Sequence, residues 1–471
     1  MISGTECLLL PPLLPLAFSS PASAAATTAA ETAAAEGSCS LFAFWGSAAV
    51  FTLVLIFFML RRFISPAVTV ILGLFVSLIC GFTDFQAASA SIDLNVLFLV
   101  ASMMISTSIL TECGFFEWAV IGMTKLLKGN VFLILFMMLV TAMVFSAFLD
   151  NVTVMILMIP LAIIIAKVLE LPAEPILIVV LVAANLGGAA TLLGGMHNMI
   201  LGAQTDLTFN DFVLNAAPCV MGIGIVFILL ATLLLSKRLH APPAIRTKVE
   251  DFHAGAAVLN LKRMRSAFAI FVLMIAAFAL QAVIRIEPGV TAMLGMALML
   301  AIYRPPTDKL VRYLNLEILI VLIGFFILTG ALLQNGVIEA LARGVLALGG
   351  DHLFAICMIV LWGSALLSSF IDSIPLTLVL VPLATRWIVP ELGLPSDGSN
   401  PLFWAILFGV SLGGCGSLFG SPANMLTYTM ARANGCPIPA RRFFYWGFPL
   451  MILQLGLCSL YLLLHYFLHM I

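Results

Sequence analysis

The sequence carries little charge. Of its 471 residues, 9% are charged and 63% are hydrophobic, and the mean hydropathy is +1.19, whereas soluble domains carry about 25% charged residues. This composition excludes a soluble globular protein. Several apolar runs of about 18 or more residues, separated by short polar turns, predict an all-α integral membrane protein, because the strands of a β-barrel would alternate in shorter segments.

Other absences narrow the function. The nine cysteines form no CxxC pair and no Cys/His cluster, so they are interpreted as small apolar residues rather than metal ligands. No basic tract suggests a nucleic-acid partner, and no HExxH or GxSxG motif suggests a membrane-embedded enzyme. We therefore expect neither enzymatic activity nor a cofactor, and we look for function among the few polar residues inside the apolar runs.

Two carboxylates stand out in those runs. Asp150 lies in residues 146–153 (SAFLDNVT) and Asp372 in residues 368–375 (SSFIDSIP); each follows a Ser by four positions and precedes a Pro by ten. A charge at the bilayer centre costs roughly 2.5 to 3.5 kcal/mol, so each Asp either serves a function or sits in a tight turn at the membrane surface. No Gly, Lys or Arg marks emergence into water, which favours a re-entrant hairpin over a surface turn.

A second pair of segments also repeats. Residues 185–194 (NLGGAATLLG) resemble residues 411–420 (SLGGCGSLFG), and Asn198 and Asn424 follow at the same offset of 13. Glycine pairs weaken a helix, and unwound backbone is tolerated at membrane depth only where protein or a water-filled cavity covers it. The segments predict a broken helix in each half. Close helix packing would explain the glycines, but not the recurring amide and hydroxyl residues.

These repeats divide the chain. Residues 1–40 are interpreted as a signal or low-complexity leader, 41–235 as a first transport repeat, 236–265 as a cytoplasmic linker and 266–471 as a second repeat. Seven Lys and Arg in the linker place it inside, so the first spans of the two halves run in opposite directions. The prediction is a pair of inverted repeats with about 10–12 membrane segments, an architecture common in secondary transporters.

We expect the substrate and ion site where the hairpins and helix breaks meet. The candidate binding residues are Asp150, Asn151, Thr153, Asn185, Gly187, Gly188, Thr191 and Asn198 in the first half, and Ser369, Asp372, Ser373, Ser411, Gly413, Gly414, Ser417 and Asn424 in the second. His197, whose matching residue is Ala423, is a candidate proton relay or an ordinary packed histidine. The same residues could hold Na⁺ as a coupling ion, and no other metal is expected.

The chain resembles the ion transporter superfamily, in the branch of arsenite permeases, the P protein and citrate or divalent-anion permeases. The resemblance covers nearly all of residues 45–467 and is carried by residues 92–118, 146–153, 184–192 and 411–424. It implies two inverted repeats, each with a re-entrant hairpin and a broken helix, in a homodimer that works by an elevator motion. Where relatives tend to read Gly-Asp-Pro-Pro-Asn, residues 194–198 read Gly-Gly-Met-His-Asn, so the acidic residue is absent here.

The resulting functional prediction is a secondary active transporter in the lipid bilayer of the cytoplasmic membrane. It would move a small anion, such as citrate, a dicarboxylate or an arsenite-like oxyanion, coupled to Na⁺ or H⁺ by alternating access. The alternative is a sodium/proton antiporter, because two intramembrane Asp residues could bind Na⁺ and H⁺ in competition. A channel suits broken helices in both halves less well than alternating access does.

Overall fold

The structure, a computed structural model, describes residues 41–59, 64–116, 118, 131–168, 171–238, 261–281, 286–350 and 352–467. The predicted leader and most of the predicted linker lie outside these residues. No β-strand occurs in the described residues, and six of their helices are long and apolar enough to cross a membrane. Shorter apolar helices accompany them. The prediction of an all-α, multi-pass membrane protein is confirmed.

The first half is a series of nine helices within the described residues. They are α1 (Leu41–Met59), α2 (Pro66–Ile79), α3 (Phe85–Ala90), α4 (Leu94–Glu112), α5 (Val131–Ser146), α6 (Asn151–Val168), α7 (Ala173–Gly188), α8 (Met196–Ala203) and α9 (Ala217–Arg238). A helical turn, Phe209–Asp211, and a π-helical turn, Phe212–Ala216, lead into α9.

The second half repeats this order. Its helices, in the residues that the structure describes, are α10 (Leu261–Ala279), α11 (Pro288–Tyr303), α12 (Thr307–Tyr313), α13 (Leu316–Gln334), α14 (Val337–Gly349), α15 (Leu353–Ser368), α16 (Ser373–Leu383), α17 (Pro401–Gly413), α18 (Pro422–Ala433) and α19 (Ala440–Leu462). A π-helical turn, Ala384–Ile388, extends α16 toward Val389–Glu391, and another, Leu463–Phe467, follows α19.

Hairpins and broken helices occur where the repeated motifs predict them. Helices α5 and α6 form one hairpin and α15 and α16 the other, each turning just before its Asp. Helix α7 ends at Gly188 and α8 begins only at Met196, while α17 ends at Gly413 and α18 begins at Pro422. A side chain at Gly187 would overlap the carbonyl of Met143, and one at Gly413 would overlap that of Ala365. The glycines therefore let each broken helix lie directly against its own hairpin.

Helices of the two halves pack against each other in reciprocal pairs. Helix α4 of the first half packs against α11 of the second, and α13 of the second packs against α2 of the first. In the same way, α18 packs on α6 and α8 packs on α16. Each contact between the halves thus has a counterpart in which the two halves exchange roles, as expected for two repeats related by a pseudo-two-fold axis. This exchange brings both hairpin turns and both helix breaks to one place.

Candidate functional site

Each repeated Asp begins the second helix of its hairpin. Asp150 Oδ2 accepts a hydrogen bond from the Val152 amide at 3.1 Å, and Asp372 Oδ1 accepts one from the Ile374 amide at 3.2 Å. Backbone N–H groups in the first turn of a helix lack partners, and a side-chain oxygen just before the helix satisfies one of them. The two carboxylates therefore have a structural role, as helix caps inside the protein, and both also line the cavity described below.

Two asparagines hold the helix breaks in shape. Asn198 Nδ2 donates to the carbonyls of Gly188, at 2.7 Å, and Thr191, at 2.6 Å. Asn424 Nδ2 donates at 2.8 Å and 2.7 Å to the carbonyls at the corresponding positions of the second break. A helix that ends inside the protein leaves carbonyls without partners, and leaving them so is costly. The matched offset of the two asparagines is explained by this bracing.

Hydroxyl groups tie each break to the hairpin of its own half. Thr191 Oγ1 donates to the carbonyl of Ala147, and Ser417 Oγ donates to the carbonyl of Ser369. Ser369 Oγ in turn donates to the carbonyl of Gly413 at 3.0 Å, a bond with no counterpart at Ala147. The hairpin turn and the helix break of each half are therefore one connected unit.

A chain of amides joins the first hairpin to the second helix break. Ser146 Oγ donates to Asn151 Oδ1 at 2.5 Å, Asn151 Nδ2 donates to Asn185 Oδ1 at 3.0 Å, and Asn185 Nδ2 donates to Asn424 Oδ1 at 3.2 Å. The last bond crosses from one repeat to the other. Buried hydrogen bonds of this kind polarise one another, so the chain is a rigid connection through the centre of the protein.

The equivalent connection in the opposite direction is missing. Ser411 occupies the position that matches Asn185, and it has a hydroxyl where asparagine has a longer amide group. Ser411 Oγ and Asn198 Oδ1 are both buried and have no hydrogen-bond partner among the described residues. Buried polar atoms are normally paired, so this pair of oxygens marks a place where the two halves of the site differ.

A cavity of about 40 Å³ lies where these units meet. Both repeats contribute to its wall: the lining residues are Asp150, Asn151, Val152, Asn185, Gly195, Met196, His197, Asp372, Ser373, Ile374, Val410, Ser411, Gly414, Gly420, Ser421 and Pro422. They include no Lys or Arg of the described chain. The residue just before each of four helices, α6, α8, α16 and α18, belongs to this wall, so four helix N-termini converge on the cavity.

His197 is a lining residue with an unsatisfied polar atom. It is the second residue of α8, its side chain is 6% exposed, and its Nε2 atom has no hydrogen-bond partner in the residues that the structure describes. Its ring lies against the backbone of Gly195. Apart from Asp150 and Asp372, it is the one ionisable side chain among the lining residues.

The predicted site residues fall into three groups. Asp150, Asn151, Asn185, His197, Asp372, Ser373, Ser411 and Gly414 line the cavity. Gly187, Gly188, Thr191, Asn198, Ser369, Gly413, Ser417 and Asn424 lie behind the wall and brace it through the hydrogen bonds and backbone contacts described above. Thr153 lies in the first turn of α6 and is not part of the wall, because the carboxylate and amide before it occupy the turn that faces the cavity.

Gly195, Gly420, Ser421 and Pro422 also line the cavity; they lie within the predicted helix breaks but are not among the individually named candidates. A signal for two of them was present. Ser421 caps α18 by accepting from the Ala423 amide at 3.3 Å, and Pro422 is the first residue of that helix. Ser followed by Pro is a recognised start of a helix, and a helix start beside a break would have pointed to the site.

Comparison with known proteins gives matches to a transporter family and to membrane proteins. A family model described as citrate transporter matches residues 53–409. An uncharacterized transporter of Mycobacterium tuberculosis is 30% identical over 387 residues, which is 81% of this chain and 89% of the relative. The 46 kDa membrane protein of Mycobacterium leprae is 29% identical over 383 residues, with 81% of this chain and 89% of the relative covered. The human P protein is 28% identical over 452 residues, which span 78% of this chain and 53% of that protein.

Proposed function

The chain belongs to the citrate transporter family, and on that premise we propose that it is a secondary active transporter for a small anion, coupled to Na⁺ or H⁺. The observation that carries the proposal is the convergence of four helix N-termini, two from each repeat, on one buried cavity. The N-terminus of a helix favours anions through its free N–H groups and its dipole. Helices that end inside a transporter commonly direct this end toward an anionic substrate.

The charges around the cavity support coupling to a cation. Four helix N-termini contribute about +0.5 elementary charge each, or about +2 together. Asp150 and Asp372 contribute about −2 when both are ionised, and no Lys or Arg of the described residues lines the wall. The empty site is thus close to neutral, and an anion that entered alone would bring an uncompensated charge into a low-dielectric interior. Entry together with Na⁺ or H⁺ removes that cost.

The paired construction of the site supports alternating access. Because each half supplies one hairpin and one helix break, the cavity has two equivalent walls, one from each half. A movement that opens one wall has a counterpart that opens the other. We expect the protein to work as a homodimer in the cytoplasmic membrane, which mass measurement of the purified protein and fractionation of native membranes would test.

A sodium/proton antiporter is the second candidate. It is favoured by Asp150 and Asp372 lining the same cavity, where each carboxylate could hold Na⁺ or a proton. It is disfavoured by the helix caps, because part of the capacity of each carboxylate to bind a cation is already used by a backbone N–H group.

The lack of Lys and Arg in the wall also leaves room for a neutral substrate such as arsenous acid.

Flux measurements in proteoliposomes separate these candidates. Purified protein is reconstituted, a Na⁺ or pH gradient is imposed, and uptake is followed for labelled citrate, succinate and arsenite, with one arm that contains no anion. We expect a carboxylate to accumulate only when one of the gradients is present. Exchange of Na⁺ for H⁺ in the arm without anion would replace this proposal by the antiporter.

A further inference from the structure

The pair Gly195 and His197 distinguishes the first helix break from the second. The matching residues are Ser421 and Ala423, so the first break presents an imidazole to the cavity at a position where the second break has an alanine. A buried polar atom without a partner is rare in folded proteins, and His197 Nε2 is such an atom within the described part of the chain. An imidazole of this kind in the wall of a site calls for a ligand atom opposite it.

Gly195 is glycine for reasons of space. Its φ angle is −157°, an extended conformation that any residue adopts, so the backbone does not require glycine. A Cβ atom at this position would lie 2.6 Å from His197 Cε1 and 3.0 Å from His197 Nδ1, which is too close for carbon or nitrogen. The ring thus occupies the space in which a side chain of residue 195 would stand. Glycine at 195 and histidine at 197 form one structural unit.

The charged groups near His197 are few and acidic. Asp150 lines the same cavity, and α16, which packs against α8, begins after Asp372. Helix α4 also packs against α8 and has Asp93 before its first residue and Glu112 at its end, while α17 has no charged residue. None of these acidic groups can bind an anion directly. Neutral donors for an anionic oxygen are backbone N–H groups and the hydroxyls of Ser373, Ser411 and Ser421, and His197 is the one aromatic N–H donor in the wall.

We propose that His197 is the side chain that recognises the substrate anion, with its ring N–H donating to an oxygen of the anion, and that Gly195 gives the ring its place. The proposal rests on the anion transport proposed above and adds a specificity-determining residue to it. A ring N–H that donates to an ionised oxygen makes a charge-assisted hydrogen bond, which is about twice as strong as a neutral one. The contact selects an ionised carboxylate or oxyanion over a neutral acid.

The first experiment compares wild-type protein with His197→Ala and His197→Gln in proteoliposomes, using labelled citrate between pH 5.5 and 8.5. All three proteins see the same ionic forms of citrate at each pH, so their KM ratios report the protein alone. We expect the KM of His197→Ala to be about tenfold higher at every pH, because a charge-assisted hydrogen bond is lost, and kcat to change less. His197→Gln, whose amide retains an N–H donor, should recover part of this loss.

The second experiment uses Gly195→Ala, whose new methyl group should displace the ring. It should raise the KM for citrate in the same direction as His197→Gln. The double variant Gly195→Ala/His197→Ala should transport no worse than His197→Ala alone, because without the ring the methyl group has room. Gly222→Ala is the matched control, since a Cβ at that position meets nothing within 4 Å, and it should behave as wild type.

The outcomes distinguish the inference from the function on which it rests. A KM for His197→Ala equal to that of wild type, in variants that elute as single species on gel filtration, overturns the role of His197 and leaves anion transport standing. Gly195→Ala behaving like Gly222→Ala also overturns it, and this variant decides the question if His197→Ala does not fold. Wild-type protein that takes up neither citrate nor succinate under either gradient overturns both proposals.

Discussion

Asn198 and Asn424 hold matching pairs of carbonyls with bonds of nearly equal length, but only Asn424 has a partner for its own amide oxygen. That partner is Asn185, and the residue in the matching position of the other half is Ser411. The bonds that the two halves share keep each helix break open and attached to its hairpin. Among the bonds that they do not share are those of Asn151 and Asn185, two side chains that face the cavity.

The comparison separates structural from functional constraints. Caps, break-bracing amides and hairpin hydroxyls recur in both halves because both halves must satisfy the same unpaired backbone groups inside a membrane. A bound substrate need not share the pseudo-two-fold axis of the protein, so the residues that contact it need not match. His197 opposite Ala423 and Asn185 opposite Ser411 are differences of this kind. The most informative substitutions make the halves more alike or remove what they share.

The largest effect is expected from the shared carboxylates. Asp150→Asn and Asp372→Asn should each abolish gradient-driven transport, because the charge that the coupling cation neutralises is removed. Asparagine caps a helix about as well as aspartate, so both variants should still fold and insert. Uptake of labelled citrate and the midpoint of thermal unfolding in detergent measure the two effects separately. Wild-type flux in both variants would reduce these residues to helix caps.

The shared asparagines should affect stability most. Asn198→Ala leaves the buried carbonyl of Gly188 without a donor, and Asn424→Ala does the same at Gly414, for an expected loss of about 1 to 3 kcal/mol each. The loss should be larger for Asn424→Ala, because that change also removes the acceptor of Asn185 Nδ2. Thermal unfolding of the two purified variants, measured side by side, tests the order. Equal losses would mean that the bridge between the repeats contributes little.

Making the halves alike should stabilise the protein and impair its function. In Ser411→Asn, the new amide could donate to Asn198 Oδ1, as Asn185 donates to Asn424. We expect a gain of about 1 kcal/mol over Ser411→Ala, which removes the unpaired hydroxyl without replacing it. Transport should slow, because the second bridge fills part of the cavity wall. The comparison fails if Ser411→Asn unfolds at the same temperature as Ser411→Ala.

The smallest effect is expected outside the site. Glu174 at the start of α7 pairs with Arg442 at the start of α19, with 2.8 Å between Oε2 and Nη1. Most of the Arg442 side chain is exposed, and pairs of this kind contribute about 0 to 1 kcal/mol. Arg442→Gln should therefore leave citrate uptake unchanged and shift the Tm slightly. A strong loss of uptake would extend the functional region to the ends of these helices.

The sequence predicted the hairpins and helix breaks of the site better than the hydrogen bonds that connect them. The spacing around Asp150 and Asp372 and the glycine pairs located both hairpins and both helix breaks, because those features depend on neighbours along the chain. The hydrogen bond between Asn185 and Asn424 could not be predicted in this way, since it depends on how the two repeats pack against each other. For the same reason, Asn198 was predicted as a binding residue, but its amide nitrogen is occupied by backbone carbonyls.

The central claim is that both repeats build one site that carries an anion together with a cation. The most direct measurement is uptake of labelled citrate into proteoliposomes under an imposed Na⁺ or pH gradient, with Na⁺ and H⁺ movement recorded in the same vesicles. The account predicts that cation entry depends on the anion and that both movements are lost in Asp150→Asn and in Asp372→Asn. Cation exchange that proceeds equally well without any anion would contradict it.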